Sequence, residues 1–290
     1  MHRRTLLASF AAGALLPTAA PAAAGVVMTR DQQRLALIDR GAGKPVVLIH
    51  GWSLGAAIWT LQVDWLASRG VRVIAYDRRG HGGSDKPATG YDFDTLAADL
   101  AQVLDQLDLH DVTLVGHSMG AGEVARYLAT WGGRRISRVL LVAPTTPFAL
   151  KTADNPEGVD RAVYDRLVAT LEADPAAYLV SGAPGFFGRN VEPELVEWGL
   201  SIARQASVPA LVKCLRAFSE TDFRTDMRAL TMPTLIVYGT ADLPPTPRNA
   251  MRTAAAIPGS QIKAYEGAPH GLFITEHARF NRDLLEFAQS

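Results

Sequence analysis

The sequence contains little that could build a metal centre, a disulfide framework or a nucleic-acid interface. Cys214 is the single cysteine among 290 residues, which excludes intrachain disulfides and cysteine-rich zinc sites. The seven histidines are scattered, without an H-E-x-x-H pair or a His/Cys cluster. Lys+Arg and Asp+Glu balance at 29 each, so the positive field that DNA or RNA binding needs is missing. We therefore expect chemistry carried by side chains alone, with no metal, no cofactor and no nucleic-acid partner.

The N-terminal apolar run, from Leu6 to Leu16, is too short to cross a bilayer. It follows the basic start Arg3-Arg4 and precedes the alanine-rich Ala22-Ala23-Ala24, an order typical of a secretory signal peptide. We predict an export signal over residues 1–24, no stable membrane anchor, and a periplasmic or secreted protein that begins near Gly25. The paired arginines fit twin-arginine export, and Sec export fits nearly as well. The alternative is a frayed N-terminal helix of a cytoplasmic protein.

Apolar residues are abundant and are arranged in short runs. Hydrophobic side chains make up 48% of the chain, enough for one large α/β domain with one insertion. Two early runs, Val26–Thr29 and Leu35–Ile38, predict an antiparallel hairpin at a sheet edge. The later runs are continuous, as in parallel strands covered on both faces: Val46–Ile49, Val71–Tyr76, Val112–Val115, Val139–Val142 and Leu235–Tyr238.

Helical patterns separate these strands. The clearest apolar stripe runs from Leu96 to Leu107, and Asp94 is its expected N-cap. Strands that alternate with helices predict a doubly wound, mostly parallel sheet flanked by helices on both faces.

The alternation stops between Pro147 and Leu230, where the sequence favours several short helices. Breaks are expected at Asn155-Pro156, Asp174-Pro175 and Gly182–Gly185. We therefore divide the chain after its signal into a first core part, 25–146, a helical cap, 147–230, and a second core part, 231–290. The cap is rich in aromatic residues, which either line an apolar substrate pocket or hold the cap together. Those assigned to the pocket are Phe148, Phe187, Trp198 and Phe218.

The stretch from Val112 to Gly120 combines an apolar run with Gly-His-Ser-Met-Gly and a following helical pattern. This is the arrangement of a nucleophile elbow, in which flanking glycines let strand and helix approach while the serine is held in a strained turn. A bare G-x-S-x-G also arises by chance, so the strand before it and the helix after it decide the interpretation. Ser118 is the candidate nucleophile.

A serine needs a histidine base, and the imidazolium needs a carboxylate. In a parallel sheet the loops after the strands meet at one edge, which favours the chain order Ser, Asp, His. Asp242 follows the strand Leu235–Tyr238, and His270 follows the last strand-like run, Gln261–Tyr265. These two residues are the candidate acid and base.

The oxyanion formed during acyl transfer needs two backbone N–H donors. One should come from Met119, directly after the nucleophile, and the other from Trp52, after an early strand. His117 and His81 do not follow the pattern of a base. His50 and Gly51 are expected to shape the loop that carries Trp52. Asp77 and Asp85 are expected to stabilise turns by accepting backbone hydrogen bonds.

Several motifs together resemble the cofactor-free haloperoxidase and aryl esterase branch of the α/β-hydrolases, from about residue 26 to the C-terminus. They are His50-Gly51-Trp52, the segment Tyr76–Ser84, the elbow with its continuation Gly116–Tyr127, Asp222-Phe223-Arg224 and Pro269-His270-Gly271. The resemblance implies a twisted sheet of about eight strands with a helical cap. It also implies Ser118, Asp242 and His270 as catalytic triad and the amides of Trp52 and Met119 as oxyanion hole.

The chain departs from this family pattern at two places near the acyl pocket. Perhydrolases of the branch often carry proline directly after the oxyanion-hole residue, where this sequence has Ser53. After Asp242 the sequence continues Leu243-Pro244-Pro245 instead of small and β-branched residues. The triad is unaffected, but the balance between ester hydrolysis and peracid formation stays open.

These residues predict a serine esterase that takes a small aryl or short-chain ester through an acyl-enzyme. Hydrogen peroxide can replace water as the acceptor, and the alternative is a cofactor-free haloperoxidase whose main product is a peracid. A second alternative is a hydrolase-fold binding protein without turnover. Dehalogenases and epoxide hydrolases would need aspartate in place of Ser118. A homo-oligomer is compatible with the sequence, which leaves the oligomeric state open.

Overall fold

The computed structural model describes residues 24–290, so the predicted export signal, apart from its last residue, Ala24, lies outside the described residues. This part of the chain contains eight strands: β1 (Ala24–Met28), β2 (Arg34–Arg40), β3 (Pro45–Ile49), β4 (Arg72–Tyr76), β5 (Val112–His117), β6 (Ile136–Val142), β7 (Thr234–Gly239) and β8 (Gln261–Tyr265). They form one sheet in the order β1-β2-β4-β3-β5-β6-β7-β8. The pairs β1/β2 and β2/β4 are antiparallel and the others are parallel, which confirms the mostly parallel sheet with an edge hairpin.

Helices cover both faces of this sheet, as predicted. Successive residues of one strand point to opposite sides, so Val46 packs into the core on one face and Val47 into the core on the other. All six residues of β5 are buried, because the strand lies in the middle of a sheet covered twice. The helices are α1 (Thr60–Ala67), α2 (Phe93–Gln106), α3 (Met119–Trp131), α4 (Arg161–Ala173), α5 (Pro175–Phe187), α6 (Pro193–Ala203), α7 (Val208–Glu220), α8 (Thr246–Ala256), α9 (Leu272–Thr275) and α10 (His277–Gln289).

The prediction of Asp94 as N-cap of α2 is wrong by two residues. The cap is Asp92, whose backbone is extended and whose carboxylate accepts a hydrogen bond from the Thr95 N–H at 2.9 Å. Asp94 lies in the first turn, where its carboxylate pairs with Arg126. Two aspartates two residues apart both favour a helix start, and only the backbone geometry separates them.

The helices α4 to α7 lie between β6 and β7 and form the cap. Asp174 caps α5, its carboxylate accepting from the Ala177 N–H at 2.9 Å, so the expected break at Asp174-Pro175 is present. The break expected at Gly182–Gly185 is wrong, because α5 continues through it to Phe187. The buried stripe Leu179, Ala183 and Phe187 packs at i, i+4 and i+8, and this packing outweighs the weak helix preference of the glycines and proline.

The parallel strands end at the same edge of the sheet, beneath this cap. The loops after β3, β5, β7 and β8 all emerge there. They carry Trp52, Ser118, Asp242 and His270, respectively. The topology therefore brings residues that are more than two hundred positions apart in the sequence to one edge.

Candidate active site

Ser118 lies at the sharp turn between β5 and α3. Its backbone takes φ 55° and ψ −114°, a conformation that residues other than glycine rarely adopt. A methyl group on Gly116 would lie 2.7 Å from the Gly120 carbonyl oxygen, and one on Gly120 would lie 2.8 Å from the Ile49 carbonyl oxygen. The two glycines are therefore needed sterically, because they let α3 approach the sheet and hold Ser118 at the strand end.

Asp242 and His270 meet on neighbouring loops. The Asp242 Oδ2 and the His270 Nδ1 are 2.7 Å apart, and the Asp242 side chain is buried whereas the His270 ring is partly exposed. The loops are joined by a hydrogen bond from the Ala241 N–H to the Ala268 carbonyl at 3.1 Å. With Nδ1–H donating to the carboxylate, the His270 Nε2 keeps a free lone pair, the state that a general base requires.

A cavity of about 340 Å³ connects these groups to the cap. Ser118, Asp242 and His270 all line it, so the structure brings the three sequence-predicted residues to one wall. The opposite wall is supplied by the cap helices and is mainly apolar. The arrangement can hold a small, largely apolar molecule against a serine and a histidine that is oriented by a carboxylate.

The two predicted oxyanion donors lie beside this wall. Met119 is the first residue of α3, where backbone N–H groups have no partner within the helix. Trp52 lines the cavity, and its indole Nε1 donates to the Leu211 carbonyl of α7 at 2.8 Å. The residue after it, Ser53, has φ 64°, so the loop turns sharply at this point. Trp52 thus ties the loop after β3 to the cap.

A buried ion pair that sequence reasoning missed lies behind this loop. The Arg78 Nε donates to Glu123 Oε2 at 2.9 Å, and both side chains are almost fully buried. The Arg78 Nη2 donates to the His50 carbonyl at 2.8 Å, and the Arg78 N–H donates to His50 Nε2 at 3.0 Å. The Tyr76 hydroxyl completes the cluster by donating to Glu123. The only sequence signal was a glutamate on the apolar side of the helix after the elbow.

The charges of this cluster follow from its burial. Burial, together with the neighbouring Arg78 cation, holds the pKa of His50 well below its usual range, so its ring is neutral. Burial and the Glu123 carboxylate raise the pKa of Tyr76, which keeps its phenol a donor. Arg78 and Glu123 are then the charged pair, and the guanidinium fixes the carbonyl groups just before Trp52.

His117 lies directly against the candidate base. Its Nε2 is 3.3 Å from the His270 carbonyl oxygen, and the two ring centroids are 4.8 Å apart. Burial, with His270 nearby, holds the pKa of His117 well below its usual range, so it is neutral and its Nε2–H donates to that carbonyl. His117 therefore packs against the His270 loop and supports its position. Its Nδ1 is buried without a partner among the described residues.

The turn residues behave as expected. Asp77 accepts backbone hydrogen bonds from Ala56 at 2.6 Å and Gly83 at 2.9 Å. Asp85 accepts one from Arg34 at 2.8 Å. Both carboxylates therefore stabilise the loop that follows β4, as predicted.

The cap residues divide into those that reach the cavity and those that do not. Phe187 and Phe218 line it. Phe148 and Trp198, expected beside them, are not among the lining residues. Phe148 packs in a cluster within the cap with Arg224 5.2 Å over its ring, and Trp198 packs against the core. Lining residues that the sequence did not single out include Tyr164 and Tyr178. Leu243, expected near the acyl pocket, also lines the cavity, as does Phe186, a further aromatic residue of the cap.

Over residues 24–290 no group of three or more His, Cys, Asp or Glu side chains is placed to hold a metal ion. None of the helices described there combines the length and the apolar character that crossing a bilayer requires.

Comparison with known proteins extends over nearly the whole described chain. A family model for the alpha/beta hydrolase fold matches residues 44–277. The chain is 39% identical over 270 residues to a non-heme chloroperoxidase of Kitasatospora aureofaciens, covering 90% of this chain and 98% of that protein. It is 33% identical over 279 residues to a bifunctional esterase/perhydrolase of Acinetobacter calcoaceticus, covering 92% and 100%. The solved bromoperoxidase from Bacillus anthracis superposes with a TM-score of 0.89 at 40% identity, covering 92% and 100%.

Proposed function

Because this chain belongs to the α/β-hydrolase fold family and is an enzyme of its esterase and haloperoxidase group, we propose that it hydrolyses small aryl or short-chain carboxylic esters through an acyl-enzyme. The single observation that carries this proposal is the geometry at Ser118. A strained serine at the start of α3 lines the same cavity as a His270 ring whose Nδ1 is 2.7 Å from Asp242. A serine with a base and an orienting carboxylate is the arrangement that acyl transfer requires.

In the proposed reaction, Ser118 Oγ attacks the ester carbonyl carbon while its proton passes to His270 Nε2. The oxyanion accepts hydrogen bonds from the backbone N–H groups of Trp52 and Met119. As it collapses, the bond to the alcohol oxygen breaks and the imidazolium gives its proton to the leaving alcohol. Water then attacks the acyl-enzyme with His270 as base, the bond to Ser118 Oγ breaks, and the acid leaves.

Hydrogen peroxide is the second acceptor in our proposal, supported by the haloperoxidase and perhydrolase names of the relatives. A peroxide oxygen attacks the acyl carbon while its proton passes to His270, the bond to Ser118 Oγ breaks, Ser118 takes that proton from His270, and the acyl group leaves as a peracid. The peracid can then take two electrons from a halide ion, which yields hypohalous acid and the carboxylate. Halide oxidation would then follow as a solution reaction of the released peracid.

The loop after Trp52 favours water as the main acceptor. Ser53 has φ 64°, whereas a proline ring confines φ to about −65°. The loop therefore follows a path that proline, which the family resemblance associates with perhydrolases, could not follow. This supports ester hydrolysis as the main activity and peracid formation as a side activity.

The proposal is tested by product analysis on 4-nitrophenyl acetate, butyrate and hexanoate, with and without hydrogen peroxide. We expect carboxylic acid as the main product in both conditions, a minor peracid fraction with peroxide, and loss of both products in Ser118→Ala. More peracid than acid would make the haloperoxidase alternative the main activity. No turnover of any ester by the folded protein would favour the non-catalytic binding protein.

A further inference from the structure

The active-site cavity is built for an uncharged molecule. Among the described residues that line it, Asp242 and His270 are the only ones that belong to an ion pair, and there is no lysine, arginine or glutamate. An ionised group on the far part of a substrate would therefore be buried without a partner, which is strongly unfavourable. The substrate part that faces the cap must be neutral.

Two phenols nevertheless break the apolar surface of the cap side. Tyr164 on α4 is 7% exposed and Tyr178 on α5 is half-buried, and both line the cavity. Neither hydroxyl makes a hydrogen bond with any residue in the range 24–290. Of the other buried phenols, three have partners in this range: Tyr76 with Glu123, Tyr91 with Pro87 and Tyr265 with Asp283. The fourth, Tyr127, makes no such bond there, but it lies outside the cavity lining.

Ring contacts join both phenols to the aromatic lining of the cavity, and burial keeps their hydroxyls protonated. Tyr178 packs edge-on against the Trp52 ring at 5.8 Å, and Tyr164 packs against the Phe218 ring at 6.5 Å. Trp52 and Phe218 also line the cavity, so the two phenols share it with the rings that surround the substrate. Burial raises the pKa of Tyr164 to about 12 and also raises that of Tyr178, so each hydroxyl can both donate and accept a hydrogen bond.

We propose that Tyr164 and Tyr178 form a hydrogen-bonding subsite for a neutral oxygen on the substrate, a ketone, hydroxyl or second ester carbonyl, on the part that faces the cap. This inference rests on the proposed ester hydrolysis and narrows it. The natural substrate is then an ester that carries a second, uncharged oxygen function, and a plain alkyl ester is a poorer substrate. Removing water from a phenol hydroxyl without giving it a new hydrogen-bond partner costs free energy. A plain alkyl ester therefore binds less favourably at this subsite.

The test compares substrates that differ only in the second oxygen. For the acyl side, 4-nitrophenyl heptanoate is compared with 4-nitrophenyl 6-oxoheptanoate. For the alcohol side, 4-propylphenyl acetate is compared with 4-(2-oxopropyl)phenyl acetate. We expect the ketone to raise kcat/KM in at least one pair, by about three- to tenfold, the range of one net hydrogen bond.

Variants that remove only the hydroxyl then assign the effect. Tyr164→Phe and Tyr178→Phe should each lower the ketone preference, the ratio of kcat/KM for the ketone to kcat/KM for its plain partner, about three- to tenfold. Tyr127→Phe is the matched control, because Tyr127 is buried against Trp131 and lies outside the cavity lining. It should leave the preference unchanged.

The outcomes separate this inference from the function on which it rests. Hydrolysis of plain esters with the same ketone preference in the parent and in both phenylalanine variants would overturn the subsite and leave the esterase proposal intact. If the folded parent protein hydrolyses none of the four esters, the esterase proposal is overturned. A preference that falls equally in Tyr127→Phe would also overturn the subsite, because it would then not depend on the cavity.

Discussion

Among single residues outside the proposed triad, Arg78 makes the most extensive buried polar contacts near the site. Its buried guanidinium donates to the Glu123 carboxylate at 2.9 Å and to the His50 carbonyl at 2.8 Å. His50 lies two residues before Trp52 in the sequence. A buried ion pair of this kind contributes little net stability compared with apolar residues of the same size, but breaking it is costly. We propose that its contribution to function is to fix the direction of the Trp52 amide, two residues after the His50 carbonyl.

Arg78→Met should lower the free energy of unfolding by about 3–5 kcal/mol, because the buried Glu123 carboxylate then has no opposite charge beside it. It should also lower kcat more than it raises KM, since an oxyanion donor acts in the transition state. Chemical denaturation and steady-state kinetics measure the two effects.

The double variant Arg78→Met with Glu123→Leu separates positioning from stability. Removing both charges should restore most of the stability while kcat stays low, because the His50 carbonyl still lacks its donor. If kcat recovers together with stability, the pair is a structural element only.

His81 determines part of the acid stability. Burial, together with the Arg78 cation, lowers the pKa of His81 to about 3 in the folded protein, against 6.5 in the unfolded chain. Between these two pH values His81 is protonated in the unfolded chain but not in the folded protein, so the free energy of unfolding falls as the pH falls. The loss from this residue should approach about 1.4 kcal/mol per pH unit.

The measurement is the free energy of unfolding from pH 7 to pH 4. His81→Asn should be less stable at neutral pH, because it leaves a cavity, but its stability should fall less steeply with acid than that of the parent. The same substitution at the exposed His110 is the control. An identical slope in His81→Asn and in the parent would contradict this assignment.

At the scale of elements, the helices of the cap set the size of the cavity. Phe187, at the end of α5, lines the cavity and packs against Gly199 of α6. A methyl group on Gly199 would overlap the Phe187 ring, whereas a methyl group on Gly182 would meet no atom within 4 Å. Both glycines line the cavity, so the pair compares a methyl group that displaces the Phe187 ring with one that displaces no protein atom.

Gly199→Ala should push the Phe187 ring towards the cavity and lower kcat/KM for 4-nitrophenyl octanoate at least several-fold more than for the acetate. Gly182→Ala should keep the ratio of the two activities and raise helix stability by up to about 1 kcal/mol. Chain-length profiles of both variants check this. Equal profiles in Gly199→Ala and in the parent would show that Phe187 does not limit the acyl chain.

The elements that the sequence predicts well are those in which a local rule decides. The elbow is one, because the close approach of α3 to the sheet permits only glycine at positions 116 and 120. The continuous apolar run of β5 is another, since a central strand is covered twice. The positions of Asp242 and His270 directly after β7 and β8 are a third, since a parallel sheet gathers these loops at one edge.

Local sequence patterns fail where the environment of a residue depends on tertiary contacts with distant segments. The patterns of Phe148 and Phe187 both indicate buried aromatic residues, but only the assembled cap decides that Phe187 reaches the cavity. The Arg78 and Glu123 pair joins two elements 45 residues apart, and no spacing rule connects them. The helix α5 passes through Gly182–Gly185 because tertiary packing outweighs propensity.

At the scale of the whole molecule, the sheet and cap explain how one site is assembled from distant segments. In the proposed mechanism, the segment after the cap supplies the acid and the base, and the segment before it supplies the nucleophile and the oxyanion donors. The cap contacts both parts, through Trp52 to the Leu211 carbonyl at 2.8 Å and through the Gly271 N–H to the Phe186 carbonyl at 2.7 Å. The cap therefore bears on the catalytic loops as well as on the substrate.

Export is a separate proposal for the whole chain, supported by the sequence of residues 1–24. We expect the full-length protein, expressed in a bacterial host with both export routes, to be found outside the cytoplasm with an N-terminus near Gly25. Arg3→Lys with Arg4→Lys should retain it in the cytoplasm when export uses the twin-arginine route. An uncleaved cytoplasmic protein in the parent would contradict export.

The central claim is that Ser118 is the nucleophile of an acyl-transfer site. A fluorophosphonate reagent followed by peptide mass spectrometry tests it most directly, because the reagent bonds to a serine that a base has activated. We predict one adduct on the peptide that contains Ser118, slow labelling in Asp242→Asn, and none in Ser118→Ala. A folded parent protein without an adduct at Ser118, or with the adduct on another serine, would contradict the claim.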